Sequence, residues 1–127
     1  MSHATPPGYS TVSPYLIVTD AAATLDFLQK VLDGQLVRRD DDDAGRVRHS
    51  EVRIGDSLLM VADAAPGWPA LPAHVHVYVA DVDAVHARAL DAGAESVQAP
   101  VKKDDEDKRG GVKDTGGTTW WIATRVE

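Results

Sequence analysis

Apolar and polar positions along the chain follow one order of patterns, and that order occurs twice. Val12–Val18 reads as a strand. After it, Ala22, Leu25, Phe27, Leu28, Val31 and Leu32 recur at helical spacing. Thr19 or Asp20 can cap that helix, and Gly34 suits a left-handed residue past its end. Strands at Gln35–Arg39, Val47–Ile54 and Ser57–Ala62 follow, with Gly55-Asp56 as a tight turn between the last two. A linker rich in proline and glycine, Asp63–Ala73, leads into the second pass. There, His74–Val79 is a strand and Asp81 or Asp83 opens a helix bearing Val82, Val85, Ala89 and Leu90. Gly93 ends that helix, and strands follow at about Ser96–Ala99, Gly111–Lys113 and Thr118–Thr124. The charged stretch Lys102–Gly110 reads as a mobile loop, and Asp40–Gly45 as a solvated hairpin tip.

The repeat is legible in the residues themselves. Ser13-Pro14-Tyr15-Leu16-Ile17-Val18-Thr19-Asp20 answers to His74-Val75-His76-Val77-Tyr78-Val79-Ala80-Asp81. Gly55–Ala62 answers in the same way to Gly116–Ala123. Two like modules facing each other create a cleft along their pseudo-twofold. The expected fold is α+β: two βαβββ modules forming a cupped mixed sheet with a central cleft. Residues 1–11 are expected to be a flexible lead-in and 12–127 a single domain, with module one at 12–62, the linker at 63–73 and module two at 74–124.

Length and composition narrow the function classes. The 127 residues make one domain, and 43% hydrophobic with 26% charged residues is ordinary for a globular chain. A net charge of −7 argues against nucleic acid or an anionic membrane as partner. The absence of cysteine removes disulfides and thiolate metal ligands. With no secretory leader pattern and no long apolar run, a cytoplasmic protein is the expectation.

The paired modules, the strand–Asp–helix opening at Val79-Ala80-Asp81-Val82-Asp83 and the glycine-containing final hairpin resemble the glyoxalase/bleomycin resistance/dioxygenase (vicinal oxygen chelate) superfamily. The nearest subgroup in pattern is the PhnB-like proteins. Their terminal segment is similar to Val112-Lys113-Asp114-Thr115-Gly116-Gly117-Thr118-Thr119-Trp120-Trp121-Ile122-Ala123-Thr124, with Thr115 and Thr118 where that subgroup has Pro and His. The resemblance implies a homodimer and a small organic ligand. It also implies, in metal-dependent members, four ligands from the first and last strands of the modules. Carried over by spacing, those positions are Ser13, Met60, His74 and Trp121, or, two residues along, Tyr15, Leu58, His76 and Thr119. Either set holds one imidazole. Indole has no lone pair to offer and thioether prefers soft ions, so the expectation is no metal and no cofactor.

Strand alternation sorts the remaining candidates by face. Tyr15, His49, Glu51, Arg53, Met60, His74, His76, Tyr78, Thr119 and Trp121 fall on the concave side. They would line an amphipathic pocket in which aromatic surface stacks on a flat ligand while His, Glu and Arg fix its polar edge. Each also has a plainer reading: hydrogen-bonded histidines in a half-buried strand, a packed tryptophan, a gap-filling methionine, a solvent-exposed Glu51 and Arg53. Trp68 in the linker reads equally as lid, dimer contact or local packing. The functional expectation is a metal-free small-molecule-binding protein, one able to sequester a planar or aromatic compound. The alternatives are a lyase, isomerase or dioxygenase acting in the same cleft, or a module that binds another protein.

Overall fold

The computed structural model describes residues 4–126. Its elements run β1 (Tyr15–Val18), α1 (Ala21–Val31), β2 (Gln35–Asp41), β3 (Val47–Ile54), β4 (Ser57–Asp63), β5 (Ala73–Tyr78), α2 (Val82–Asp91), β6 (Glu95–Lys102), β7 (Asp107–Lys113) and β8 (Thr118–Arg125). This is the expected α+β plan of two βαβββ modules. The strands form two four-stranded mixed ladders, β1-β4-β3-β2 and β5-β8-β7-β6, each with one parallel pair at the edge (β1 with β4, β5 with β8).

The helix ends follow from single residues. The side chains of Asp20 and Asp81 accept from Ala23 N and Ala84 N, so each helix opens on an aspartate cap. At the end of α1 both Leu32 N and Gly34 N donate to Leu28 O. The left-handed residue there is Asp33, at φ 53°, and not the expected Gly34. Glycine at 34 answers a different need: a Cβ would lie 2.9 Å from Val52 Cγ1 and 3.0 Å from Leu28 O. The helix stripes are also rotated slightly from the apolar pattern. Thr24 and His86 are buried while Ala22 and Leu90 face outward. Burial of the two polar residues is tolerated because Thr24 Oγ1 donates to Asp20 O and His86 Nε2 meets Ser96 Oγ at 3.0 Å.

Strand bounds differ most where charge misled. Lys102–Gly110 is not a mobile loop: β6 runs to Lys102, β7 begins at Asp107, and 103–106 alone connect them. The charges of β7 are matched locally, as Arg109 donates to Asp105 and Asp107 at 3.1 and 2.9 Å. Val12 is 81% exposed and precedes β1, which starts at Tyr15. In β3 a register shift opposite Asp40–Asp41 leaves Arg48 unpaired and turns Val47 inward, although alternation alone would put it beside His49. The hairpin tip at Asp42–Gly45 is closed by Asp42 Oδ1, which accepts from Ala44 N and Arg46 N. Of the segment expected to be flexible, residues 1–3 lie outside the described residues, and Gly8 and Tyr9 are fastened to β3 by Arg53 and Glu51.

A single core crosses both modules, with Leu28, Val31, Val52 and Val61 from the first and Val82, Val112, Trp120 and Ile122 from the second. The modules meet through α1 against α2, where Arg88 donates to Val31 O at 2.8 Å. Beside that contact a cavity of about 770 Å³ opens on the helix side. It runs along β5, whose outer edge has no partner strand, and is lined by Leu32, Leu59, Val75, Val77 and Val85 among others.

Candidate functional site

The ten candidate side chains form two groups, one per sheet, and among the described residues no hydrogen bond or ring pair joins one group to the other. On the first sheet, Tyr15 and Glu51 flank Met60 in the ladder, Tyr15 from β1 and Glu51 from β3. Glu51 is only 4% exposed. It accepts from the hydroxyl of Tyr9 and lies 2.9 Å from His49 Nε2. Burial pushes its pKa up, but hydrogen bonds from Tyr9 and His49 and the charge of Arg38 outweigh that, and it is held below the usual carboxylate range. The carboxylate accepts only, so His49 Nε2 carries the proton. In the neutral ring Nδ1 is then the acceptor for the Tyr15 hydroxyl at 3.2 Å. Tyr15 packs edge-on against His49 and against Trp68, with centroids 5.6 and 6.2 Å apart. Arg53 is turned aside to the carbonyl of Gly8.

On the second sheet Trp121 lies parallel to His74, at 9° and 6.2 Å between centroids, and its indole N–H donates to His74 Nδ1 at 3.0 Å. The indole rests directly on Gly111, where a Cβ would meet its ring carbons at 2.7 and 2.8 Å. Next along β5, His76 Nε2 accepts from Arg109 Nε at 3.1 Å. Burial first, then the Arg109 charge, holds the His76 pKa below the usual imidazole value, against Asp107 and Asp105. Tyr78 stands edge-on to His76 at 4.9 Å and donates to Asp107 Oδ2 at 2.8 Å, a bond that raises its phenol pKa. Thr119 pairs with His74 in the ladder and is buried.

These contacts decide which nitrogen of each neutral histidine carries the proton. Indole and guanidinium nitrogens donate and never accept. His74 in its neutral form therefore carries its proton on Nε2, and His76 carries its own on Nδ1. The second wall offers two N–H donors beside a fixed indole face.

The ladders also align the modules. Tyr15 and Glu51 both register with Met60, while His76 and Gly111 both register with Trp121. Tyr15 thus corresponds to His76, Met60 to Trp121, and, two residues back along the strands, His49 to Arg109. The Tyr15–His49 and His76–Arg109 hydrogen bonds occupy equivalent places in the duplication. The ladders pair Tyr15 with Met60 and His76 with Trp121, so the register joins members of the two carried-over sets, Ser13, Met60, His74 and Trp121 with Tyr15, Leu58, His76 and Thr119; each set still holds one imidazole. The lone pairs of His74 Nδ1 and His76 Nε2 already accept from the protein. That donor set does not fit a catalytic divalent cation, and among the described residues no three His, Asp or Glu side chains converge to hold a metal.

Tyr9, Asp105, Asp107, Arg109 and Gly111 complete the two groups and are absent from the sequence reading of the pocket. Asp107 and Arg109 were hidden by reading a charged strand as a loop. Their spacing of two, which puts both on one strand face, was the available signal. Tyr9 lies far from Glu51 in sequence, in a segment that carries no periodic signal.

A family model described as Glyoxalase/Bleomycin resistance protein/Dioxygenase superfamily matches residues 3–122. The protein Mb0911c of Mycobacterium bovis is 34% identical over 126 residues, spanning 91% of this chain and 83% of that protein. Rv0887c of Mycobacterium tuberculosis matches at the same identity over 74% of its length. Among solved structures, TioX from Micromonospora sp. ML1 superposes with a TM-score of 0.76 at 26% identity, covering 91% of this chain and 98% of that one. A glyoxalase-related enzyme from Fulvimarina pelagi shares the fold, with a TM-score of 0.74 at 16% identity over 91% and 88% of the two chains. With the duplicated βαβββ modules, the register between them and the match over nearly the whole length, the chain belongs to the glyoxalase/bleomycin resistance/dioxygenase superfamily.

Proposed function

We propose that this protein binds a small planar or aromatic molecule without a metal ion, holding it against the indole of Trp121 in a homodimer. The observation that carries the reading is the seat of Trp121. Its N–H is tied to His74, its ring rests on a residue with no side chain, and the ring remains partly open to solvent. A side chain fixed in this way loses little further entropy on stacking, which is what a preorganised platform requires. Beside it, the Nε2–H of His74 and Nδ1–H of His76 favour a ligand whose edge carries hydrogen-bond acceptors. The terminal Asp114 turn and the tryptophan after it support a place among the PhnB-like proteins.

The homodimer is part of the same reading. Each sheet carries half of the candidate side chains, among the described residues no hydrogen bond or ring pair joins the halves, and β5 leaves an edge and an apolar groove open. A second copy would bring a first-sheet wall to face a second-sheet wall.

The test is fluorescence titration with flat aromatic compounds in a Trp68→Phe background, in which the buried Trp120 serves as internal reference. Saturable quenching is expected, and both Trp121→Ala and Gly111→Ala should weaken it tenfold or more, the second because the indole can no longer lie on the strand. Quenching that survives both substitutions would overturn the proposal.

A further inference from the structure

We propose that Tyr15, backed by His49 and Glu51, is a proton-exchanging group that takes the acidic hydrogen of a phenol or enol ligand. The inference rests on the binding reading above and gives its ligand a chemical class. Three observations meet here. Glu51 is buried and ionised and holds His49 through Nε2–H; His49 Nδ1 then receives the Tyr15 hydroxyl; and Tyr15 is 44% exposed, so the far end of the chain of hydrogen bonds reaches the open wall. Carboxylate, imidazole and hydroxyl in series are the arrangement by which a weakly acidic hydroxyl gains a base behind it. Tyr9 binds the other oxygen of Glu51 and so orients the carboxylate.

The step balances without any further reactant. The ligand O–H gives its proton to Tyr15 Oη as the Tyr15 proton passes to His49 Nδ1. The ligand keeps the electron pair as an oxyanion, and the new imidazolium lies between Tyr15 and the Glu51 carboxylate. Run backwards, the same path returns a proton to the ligand oxygen. The charged and titratable groups around this relay are Tyr9, Arg38, Asp40 and Arg53; Asp40 pairs with His49 in the ladder and is ion-paired to Arg38. Among the described residues Arg53 bonds only to the neutral carbonyl of Gly8 and favours the added negative charge of a bound oxyanion, while Arg38 is offset by Asp40. General acid–base assistance of this kind is worth about 10²–10⁴ in rate where it serves a reaction, and it makes the wall selective for acidic hydroxyls where it serves binding alone.

The probe is 4-nitrophenol, whose phenol and phenolate absorb at different wavelengths, titrated below its solution midpoint while tryptophan fluorescence reports occupancy. Bound probe is expected to be at least threefold more ionised than free probe. Tyr15→Phe and Glu51→Gln are expected to abolish that excess, the ionised fraction being read per occupied site at saturating probe. An excess that persists in both variants, or bound probe no more ionised than free, overturns the relay. Nitrobenzene, which has no acidic hydrogen, separates the two proposals: if it quenches and 4-nitrophenol does not bind, the relay fails and the platform stands. If neither binds, the platform reading fails. The relay is then decided by nitrogen-15 NMR of the free protein, where His49 protonated on Nε2, with Tyr15→Phe shifting the Nδ1 resonance, supports it. Proton density on Nδ1 overturns it. The same spectrum shows whether the Glu51→Gln protein is folded.

Discussion

At the scale of the residue, this chain uses hydrogen bonds to choose which form of an imidazole a ligand meets. His74 and His76 each accept from a group that can only donate, so in the neutral ring each carries its proton on the other nitrogen. Protonation would place His76 cation against Arg109 cation, and burial opposes the charge as well. A histidine whose folded-state pKa lies below its unfolded value contributes stability at pH above the usual imidazole range, and that contribution is lost as the pH falls through that range. Thermal melts across about pH 7.5 to 5 should therefore show wild type losing more stability on acidification than His76→Gln. Equal slopes for the two proteins would contradict the contact. Glu51 works in the same direction at lower pH: its carboxylate is held below the usual range, so its share of stability is kept until the medium is acid enough to protonate it. These residues were visible as types in the sequence. Their tautomers and partners were not, because Trp121 and Arg109 lie 47 and 33 positions away from the histidines they fix.

At the scale of the element, aspartates fasten turns and helix starts that the hydrophobic pattern only located. Asp114 is 6% exposed and accepts from Gly116 N, Thr118 N and the indole N–H of Trp120, so one carboxylate closes the β7–β8 turn and orients the largest core side chain. Asp63 does comparable work at the end of β4, accepting from Ala21 N and Val47 N and so joining a helix start to a neighbouring strand. Asp114→Asn keeps the size but puts an amide donor among three donors, and the expected cost is about 1–3 kcal/mol, measured by urea denaturation. A loss under about 0.3 kcal/mol would mean that the turn stands without it. Both caps, both helices and most strands were legible because they depend on local spacing and on aspartate or glycine at defined places. The β6–β7 hairpin was not, since the charged residues of β7 and the turn before it satisfy one another along the chain and leave no apolar alternation to read. Gly34 shows a related limit: a helix-terminal glycine signalled an end correctly, yet its role is clearance from Val52 rather than a left-handed backbone.

At the scale of the whole molecule, the duplication yields two half-walls and one shared core. The helices of the two modules pack together, and the face of each sheet away from the helices is left to its own cluster of aromatic and charged groups. If a second copy completes the cleft, analytical ultracentrifugation should find a dimer at micromolar concentration. Val77→Arg, at the apolar groove along β5, should then give a folded monomer that binds planar ligands at least tenfold more weakly. A wild-type monomer that binds with unchanged affinity would contradict the shared cleft.

Spacing and residue type determined, without coordinates, that the chain is two βαβββ modules, and placed the start of each helix within a residue or two. Those properties are periodic or local, and a linear chain records them directly. Tertiary structure alone decided that Glu51, His49 and Tyr15 form one line of hydrogen bonds, that Trp121 lies flat because Gly111 has no side chain, and that the ten candidates divide into two groups. These depend on register between strands distant in sequence and on clearances of a few tenths of an ångström, which no pattern along the chain encodes.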